Sequence, residues 1–388
     1  MSIFDRPLPE PDFIERDAAK ITREQIAYYE QLTGKKLYPA QVERLQINNA
    51  AYRESLLREA VQDAAKQNLL RYARYPILDM HGERVGVIRL DARPAITTVR
   101  VTFKTAPTSA VVIPSDTLFL AGQVSFAPAS AITVATGAKS IDIDVICSEA
   151  GTVGNGFTAG QISGLAAPIG GLDVASVSNL TVTSAGAEAE DDDHLRERIA
   201  LAPQAFSNAG SEGAYKFWAM TAHQDIIDVA VRGPELNMNG GQLISTNDVP
   251  IGCVYLYPLT KNGLPTPAIR ALVAQACNQS KVRPITDYVQ VFDPIVYDYR
   301  IVARLTPYKA TDLPLVESTA ELAAVEYARA TSAQLGVDVV RVQIEKALQT
   351  YGVKDVELQL PTTNGVIEPH GWARCVLIDV SLKNAEDV

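Results

Sequence analysis

The sequence predicts a multidomain α+β protein: an N-terminal helical region, a small all-β domain, central helices, and tandem C-terminal α+β units. Three observations predict it. Between Pro39 and Tyr72 apolar residues recur at spacings of three and four, the period of a helix. From about Ile88 to Thr183 the composition turns to Thr, Ser, Val, Ala and Gly, and the apolar period falls to two. That is the period of strands with one wet face. After Glu188 helical and strand patterns alternate to the end. At 388 residues the chain exceeds one ordinary core, and the boundaries expected are 1–87, 88–186, 187–293 and 294–388.

Residues 1–38 open rich in proline and acid, then read as a helix from about Asp12 to Leu32 ending at Gly34. Such an arm is expected to pack on something else. The long helix from Pro39 to Tyr72 carries Val42, Leu45, Asn49, Tyr52 and Leu56 on one seam, until Glu59 and Asp63 break it. Two uses of the seam stand side by side. It packs on its own domain as an ordinary amphipathic face, or it makes a coiled-coil-like contact with another subunit. The five residues are therefore candidate subunit-interface positions.

In the β domain Val99, Val101 and Phe103 alternate with Thr98, Arg100 and Thr102, and Ile141, Ile143 and Val145 with Asp142, Asp144 and Ile146. The glycine-rich stretch from Gly151 to Gly171 reads as a loop, with Gly151, Gly154 and Gly156 as candidate hinges. Its G-x-x-G-N-G pattern invites a phosphate-cradle reading. The strand–helix flanks and a following Lys-Ser/Thr are missing, which removes the chemistry such a loop needs.

Five acids in the six positions Glu188 to Asp193 precede Leu195, Ile199 and Ala202, one face of a short helix, with Arg196, Glu197 and Arg198 mostly off it. Acids belong at a helix N-terminus, where they meet unsatisfied N–H groups; a metal site is the competing reading. Pro203 is expected to end the helix. Ser207 to Ser211 form a second candidate hinge, including Ser207 and Gly210. Next comes a helix with Ala214, Phe217, Trp218 and Thr221 on one face, then a strand through Ile227, Val229 and Val231. Phe217 and Trp218 are candidate interface anchors, weighed against ordinary core.

Asn237 to Pro250 reads as a polar loop. A strand at Cys253–Tyr257, a helix at Pro267–Gln279 and a strand at Tyr288–Phe292 complete a β-β-α-β unit. A second unit is expected from a strand at Tyr297–Leu305, helices at Leu315–Leu335 and Val339–Thr350, and strands at Val353–Leu360 and Arg374–Val380. Asp338 is the expected cap of the second helix and Gly352 its close. Two units of similar order suggest a duplication.

Composition narrows the function. A net charge of −10 disfavours a general nucleic-acid binder, which needs a basic footprint. No apolar run approaches the ~18 residues of a membrane span, and the opening MSIFDRPLPEPDF lacks the pattern of a signal peptide. Cys147, Cys253, Cys277 and Cys375 are scattered, which suits a reducing cytoplasm and no zinc site. His81, His194, His223 and His370 are too dispersed for a ligand pair. His223 with Asp225 lacks a nucleophile motif and reads as a surface turn. Tyr255, Tyr257, Tyr288, Tyr297 and Tyr299 either pack on helices or, exposed together, make a carbohydrate platform. No enzyme, cofactor or metal is expected.

The central stretch also carries a resemblance. The acidic cluster is followed by Leu195-Arg196-Glu197-Arg198-Ile199, Leu201-Ala202-Pro203, Gly210-x-Glu212-Gly213-Ala214-Tyr215 and Trp218-Ala219. Upstream lies Glu149-Ala150-Gly151-Thr152-Val153-Gly154-Asn155-Gly156, and downstream Arg283-Pro284-Ile285-Thr286-Asp287. This collinear set resembles the baseplate J-like family, wedge proteins of contractile phage tails and related injection devices. It is strongest from Ser148 to Leu305. One departure is Arg74-Tyr75-Pro76 before Leu78-Asp79, where the family pattern has a glycine. The resemblance implies a virion protein of the tail baseplate, assembled in the host cytoplasm. It implies a homo-oligomer, with paired copies in each wedge of a six-fold ring, bound to a second wedge protein and hub-proximal proteins, without nucleic acid or membrane. The ring would close around the tail hub and reorganise on triggering. A receptor-binding or adhesion component at the tail periphery is the alternative, and a wall hydrolase a third.

Overall fold

The computed structural model describes residues 4, 6–205, 211–239, 242–279, 282–309, 311–385 and 387. The chain divides into two compact units, residues 1–88 with 195–200, and residues 89–194 with 201–388.

The first unit is helical: α1 (Ala18–Thr33), α2 (Val42–Lys66) and α3 (Ile77–Glu83). Helix α1 starts later than its periodicity suggests, because the Asp17 side chain accepts from the Ala19 N–H and caps it there. Its end is as expected, with Gly34 in the left-handed region at φ 67°. The residues before it stay extended along α2, where Gln62 takes the Phe13 N–H on Oε1 and donates to the Pro11 carbonyl from Nε2. Helix α2 stops at Lys66, short of Tyr72. The Asn68 amide donates to the carbonyls of Ala64 and Ala65 and so occupies acceptors that further helix needs.

The second unit opens with β strands: β1 (Pro94–Thr105), β2 (Val111–Ile113), β3 (Phe119–Ala121), β4 (Val124–Pro128), β5 (Ile132–Val134), β6 (Ser140–Ala150), β7 (Gly164–Leu165) and β8 (Asp173–Asn179). Six form an antiparallel, nearly closed barrel-like sheet in the order β7-β3-β4-β6-β1-β8; β2 and β5 pair separately. The period-two reading holds: Val99, Val101, Phe103, Ile143 and Val145 fill the interior. On the wet face Arg100 stands opposite Asp142 and binds both its oxygens at 2.7 Å.

Helix α4 (Asp192–Ala205) and helix α5 (Glu212–Ala222) come next. Pro203 does not end α4 but lies inside its last turn, where its missing N–H deprives only one carbonyl. Strand β9 (Ile226–Arg232), hairpin strands β10 (Leu236–Asn239) and β11 (Gln242–Ser245), β12 (Cys253–Thr260), helix α6 (Pro267–Cys277) and β13 (Tyr288–Val291) follow. Sheet β13-β12-β9 is antiparallel at β12/β9 and parallel at β12/β13, as a β-α-β crossover requires. The stretch read as a polar loop contains the hairpin.

The last elements are β14 (Ile295–Pro307), α7 (Leu313–Ser332), α8 (Arg341–Leu348), β15 (Val353–Leu360) and β16 (Gly371–Leu382). Here β14 is central, antiparallel to β15 and parallel to β16, over a core of Ile301, Ala303, Leu305, Ala320, Ala324, Ile344 and Leu348. Both α+β units thus give a central strand one parallel and one antiparallel neighbour. Their connections differ: β12 meets its antiparallel partner before its helix, β14 after two helices. The order is not that of a simple repeat. Asp338 does not cap α8; the cap position is Val340, without a side-chain bond, and Asp338 instead accepts the Ile367 N–H.

Candidate functional site

Among the described residues no group of three or more His, Cys, Asp or Glu is placed to hold a metal ion; the candidate sites are surfaces and joints. On α2 the sequence-predicted seam is at the surface. Val42, Leu45, Tyr52 and Leu56 are each more than half exposed, and so are Leu57 and Val61; Asn49 lies exposed among them. The inward face is small and polar: Ala51, Ser55 and Gln62 are buried, and Glu54 holds Arg58 by an i,i+4 ion pair and Gln25 of α1 by a hydrogen bond. Ordinary amphipathicity is inverted here. Within this chain the seam residues are left largely uncovered.

The glycine-rich turn is stitched into the barrel. Asn155 is its centre: Nδ2 donates to the Gly186 carbonyl at 2.7 Å and Oδ1 accepts the Gly186 N–H at 2.9 Å. The Gly151 N–H reaches the Arg93 carbonyl and the Gly156 N–H the Thr183 carbonyl. Glu188 takes the N–H and hydroxyl of Thr152, which hold its carboxyl below the usual range. A Cβ on Gly154 would stand 2.8 Å from the Cys147 side chain and 2.9 Å from Ala95 Cβ. Gly151, with φ 111°, adopts a backbone that favours glycine. The joint is a clasp in this conformation. Ser207 and Gly210 lie outside the described residues.

Glu188, Glu190, Asp191 and Asp192 of the acidic run are engaged by the fold. Asp191 caps α4 by accepting the His194 N–H at 2.8 Å, and Asp192 pairs with Arg89 at 2.7 Å. Glu190 is buried, accepts the Leu90 N–H, and lies 2.5 Å from His194 Nδ1. His194 Nε2 faces the Ile226 carbonyl at 2.8 Å, and a carbonyl only accepts, so that nitrogen donates. Asp191 and Asp192 thus do at this helix start what capping and pairing predict. In the helical unit Arg196 donates to the carbonyls of Leu70 and Ala73. Arg198, expected off the apolar face, is buried and reaches the Ile88 carbonyl.

His223 is no surface turn; it is fully buried. Nδ1 accepts the Asp225 N–H and Nε2 donates to the Ala185 carbonyl, a fixed neutral tautomer whose burial holds its pKa below the ordinary histidine value. Asp225 is 4.0 Å away and pairs with Lys261. Gln224 donates to the Glu188 carbonyl. These side chains anchor the strap of residues 183–190 that leaves the barrel, with Ala185 in the left-handed region at φ 65°.

Phe217 is buried and meets Trp218 edge-on, centroids 5.2 Å apart; Trp218 packs half-buried on the central core. Phe217 thus packs in the core of this chain, while Trp218 keeps part of its surface open. Of the five strand tyrosines Tyr288 alone is well exposed, so no platform forms. Asp287 of the Arg283–Asp287 step accepts the Tyr215 hydroxyl at 2.7 Å. The sequence reading missed Asn155, Glu190 and His194 as joints. Their only signal is a polar residue inside a turn or an acidic run.

Comparison with known proteins follows this architecture along the chain. Models of the baseplate J-like N-terminal domain match residues 42–95, the barrel domain 98–186, the central domain 207–293 and the C-terminal domain 299–381. A curated relative, "Baseplate protein J" of Escherichia phage P2, is 28% identical over 198 residues, covering 50% of this chain and 60% of that protein, less than two thirds of its length. A solved anti-feeding prophage baseplate, six-fold symmetrised, is 13% identical with a TM-score of 0.42, covering 92% of this chain and 89% of that one. With four consecutive domain models matched in order, the chain belongs to the baseplate J-like family.

Proposed function

We propose that this chain is a structural subunit of a tail baseplate, a wedge component that binds copies of itself and other baseplate proteins in a ring around the tail hub. The observation that carries the reading is the outward seam of α2. The four large side chains are each somewhat more than half exposed, so covering what remains is worth roughly 3–7 kcal/mol before the costs of association. A chain that keeps its polar face inside and its heptad seam outside is built to complete its packing on another chain. Asn49 within the seam suits a contact of defined register. The family and the printed name of the phage P2 relative agree with this role. In this reading the chain is part of the virion, brought into it during assembly, and works by contact area without catalysis.

Electron microscopy of particles made without this gene tests it. Sheaths or tubes without joined baseplates, or no tails at all, support the wedge reading. Complete tails with normal baseplates that fail only in attachment or penetration would sink it in favour of a peripheral adhesion role.

A further inference from the structure

We propose that the β10–β11 hairpin is a self-association arm that meets the same hairpin of a second copy across a two-fold axis. The inference rests on the reading that copies of this chain assemble together. Among the described residues strands β10 and β11 pair only with each other and join no larger sheet, and a lone two-stranded hairpin is marginal in water. Its base is tied down: the Thr246 N–H donates to the Glu235 carbonyl, Asn247 Nδ2 to the Gly233 carbonyl, and Arg232 pairs with Asp248. The register sets Met238 opposite Leu243 and Leu236 opposite Ser245, so Leu236, Met238 and Leu243 share one face. All three are exposed.

Charge selects the occupant. The chain carries −10 and is 21% charged, yet no charged residue occurs from Leu236 to Ser245. Two acidic copies repel wherever identical charges meet. An isologous contact, which sets a patch against itself, is therefore favoured where that patch carries none. Three side chains a copy bury on the order of 600 Å² in total, at ~100 Å² each, below the ~1,200 Å² of stable complexes. The contact is thus a weak one that acts when copies are already held close.

Cysteine trapping in the full-length chain tests it. Cys147 and Cys277 are buried and Cys253 and Cys375 half-buried, so an exposed cysteine is read against a quiet background. Met238→Cys under mild oxidant should form a disulfide-linked dimer at least tenfold faster than Val366→Cys, a control at an 81% exposed residue. Adding Leu236→Glu and Leu243→Glu should return the rate to that control, with an unchanged circular dichroism spectrum. Equal rates for the two cysteine variants overturn the inference. In particles, normal baseplates built from a Met238→Glu, Leu243→Glu chain overturn the arm and leave the assembly reading standing. Baseplates complete without the chain overturn the assembly reading itself.

Discussion

Asn155 and Gly186 exchange two hydrogen bonds, the side-chain amide of one against the backbone N–H and carbonyl of the other, at 2.7 and 2.9 Å. The pair closes the glycine-rich turn onto the strap that leaves the barrel. Gly186 has no room for more: a Cβ would lie 2.5 Å from the Gly151 carbonyl oxygen and 2.9 Å from the Ala95 nitrogen.

Asn155→Ala should therefore lower stability by about 1–3 kcal/mol, since it strands a buried donor and acceptor. Gly186→Ala should cost at least as much, because backbone atoms must shift. Urea unfolding of both variants checks this; losses below about 0.5 kcal/mol would show the clasp to be incidental.

Gly154→Ala should cost about 1–3 kcal/mol by overpacking. The crowding comes from Cys147 and Ala95, so Ala95→Gly in the same chain should restore part of the loss. A thermal melt of the double variant no better than the single one argues against that account.

The acid side of the stability profile should carry a histidine signature. Burial holds His223 and His370 below the ordinary value. Above about pH 6.5 both states are neutral and the shift has no effect. Below it the unfolded chain takes up protons that the folded chain refuses, so stability falls as pH drops from about 6.5 toward 5. His223→Asn should flatten that slope. Denaturant midpoints at half-unit pH steps would reveal an unchanged slope, the outcome that counts against this assignment.

Leu45→Glu with Leu56→Glu should leave the fold within about 0.5 kcal/mol of wild type, as exposed substitutions do, while blocking incorporation into baseplates. Gln62→Ala, on the inward face, should do the opposite in kind. It removes the Phe13 and Pro11 bonds and lowers stability by about 1–3 kcal/mol. Melting curves beside particle yields separate the two effects.

The sequence by itself determined the α+β class and the order of the main helices and strands, though not the β10–β11 hairpin or α3. Periodicity is a local property: Val99, Val101 and Phe103 point inward in any pleated strand, and Gly34 ends a helix wherever the chain turns left-handed. The motif series likewise determined the family, through residues adjacent along the chain. Tertiary structure alone decided which apolar faces are covered. The α2 seam and the α7 ridge of Ala320, Ala324 and Ala328 have similar periodicity, yet one is exposed and the other buried. Only the partners available in space distinguish them.

The same holds for the polar joints. Asp338 has the composition of a cap but serves the Ile367 N–H. His223 reads as a turn but lies at 0% exposure, and Asn155, within a turn rich in glycine, exchanges two bonds with Gly186. A polar side chain satisfies whichever backbone group the fold brings to it. That group is distant in sequence, so its identity becomes legible only when the chain is folded.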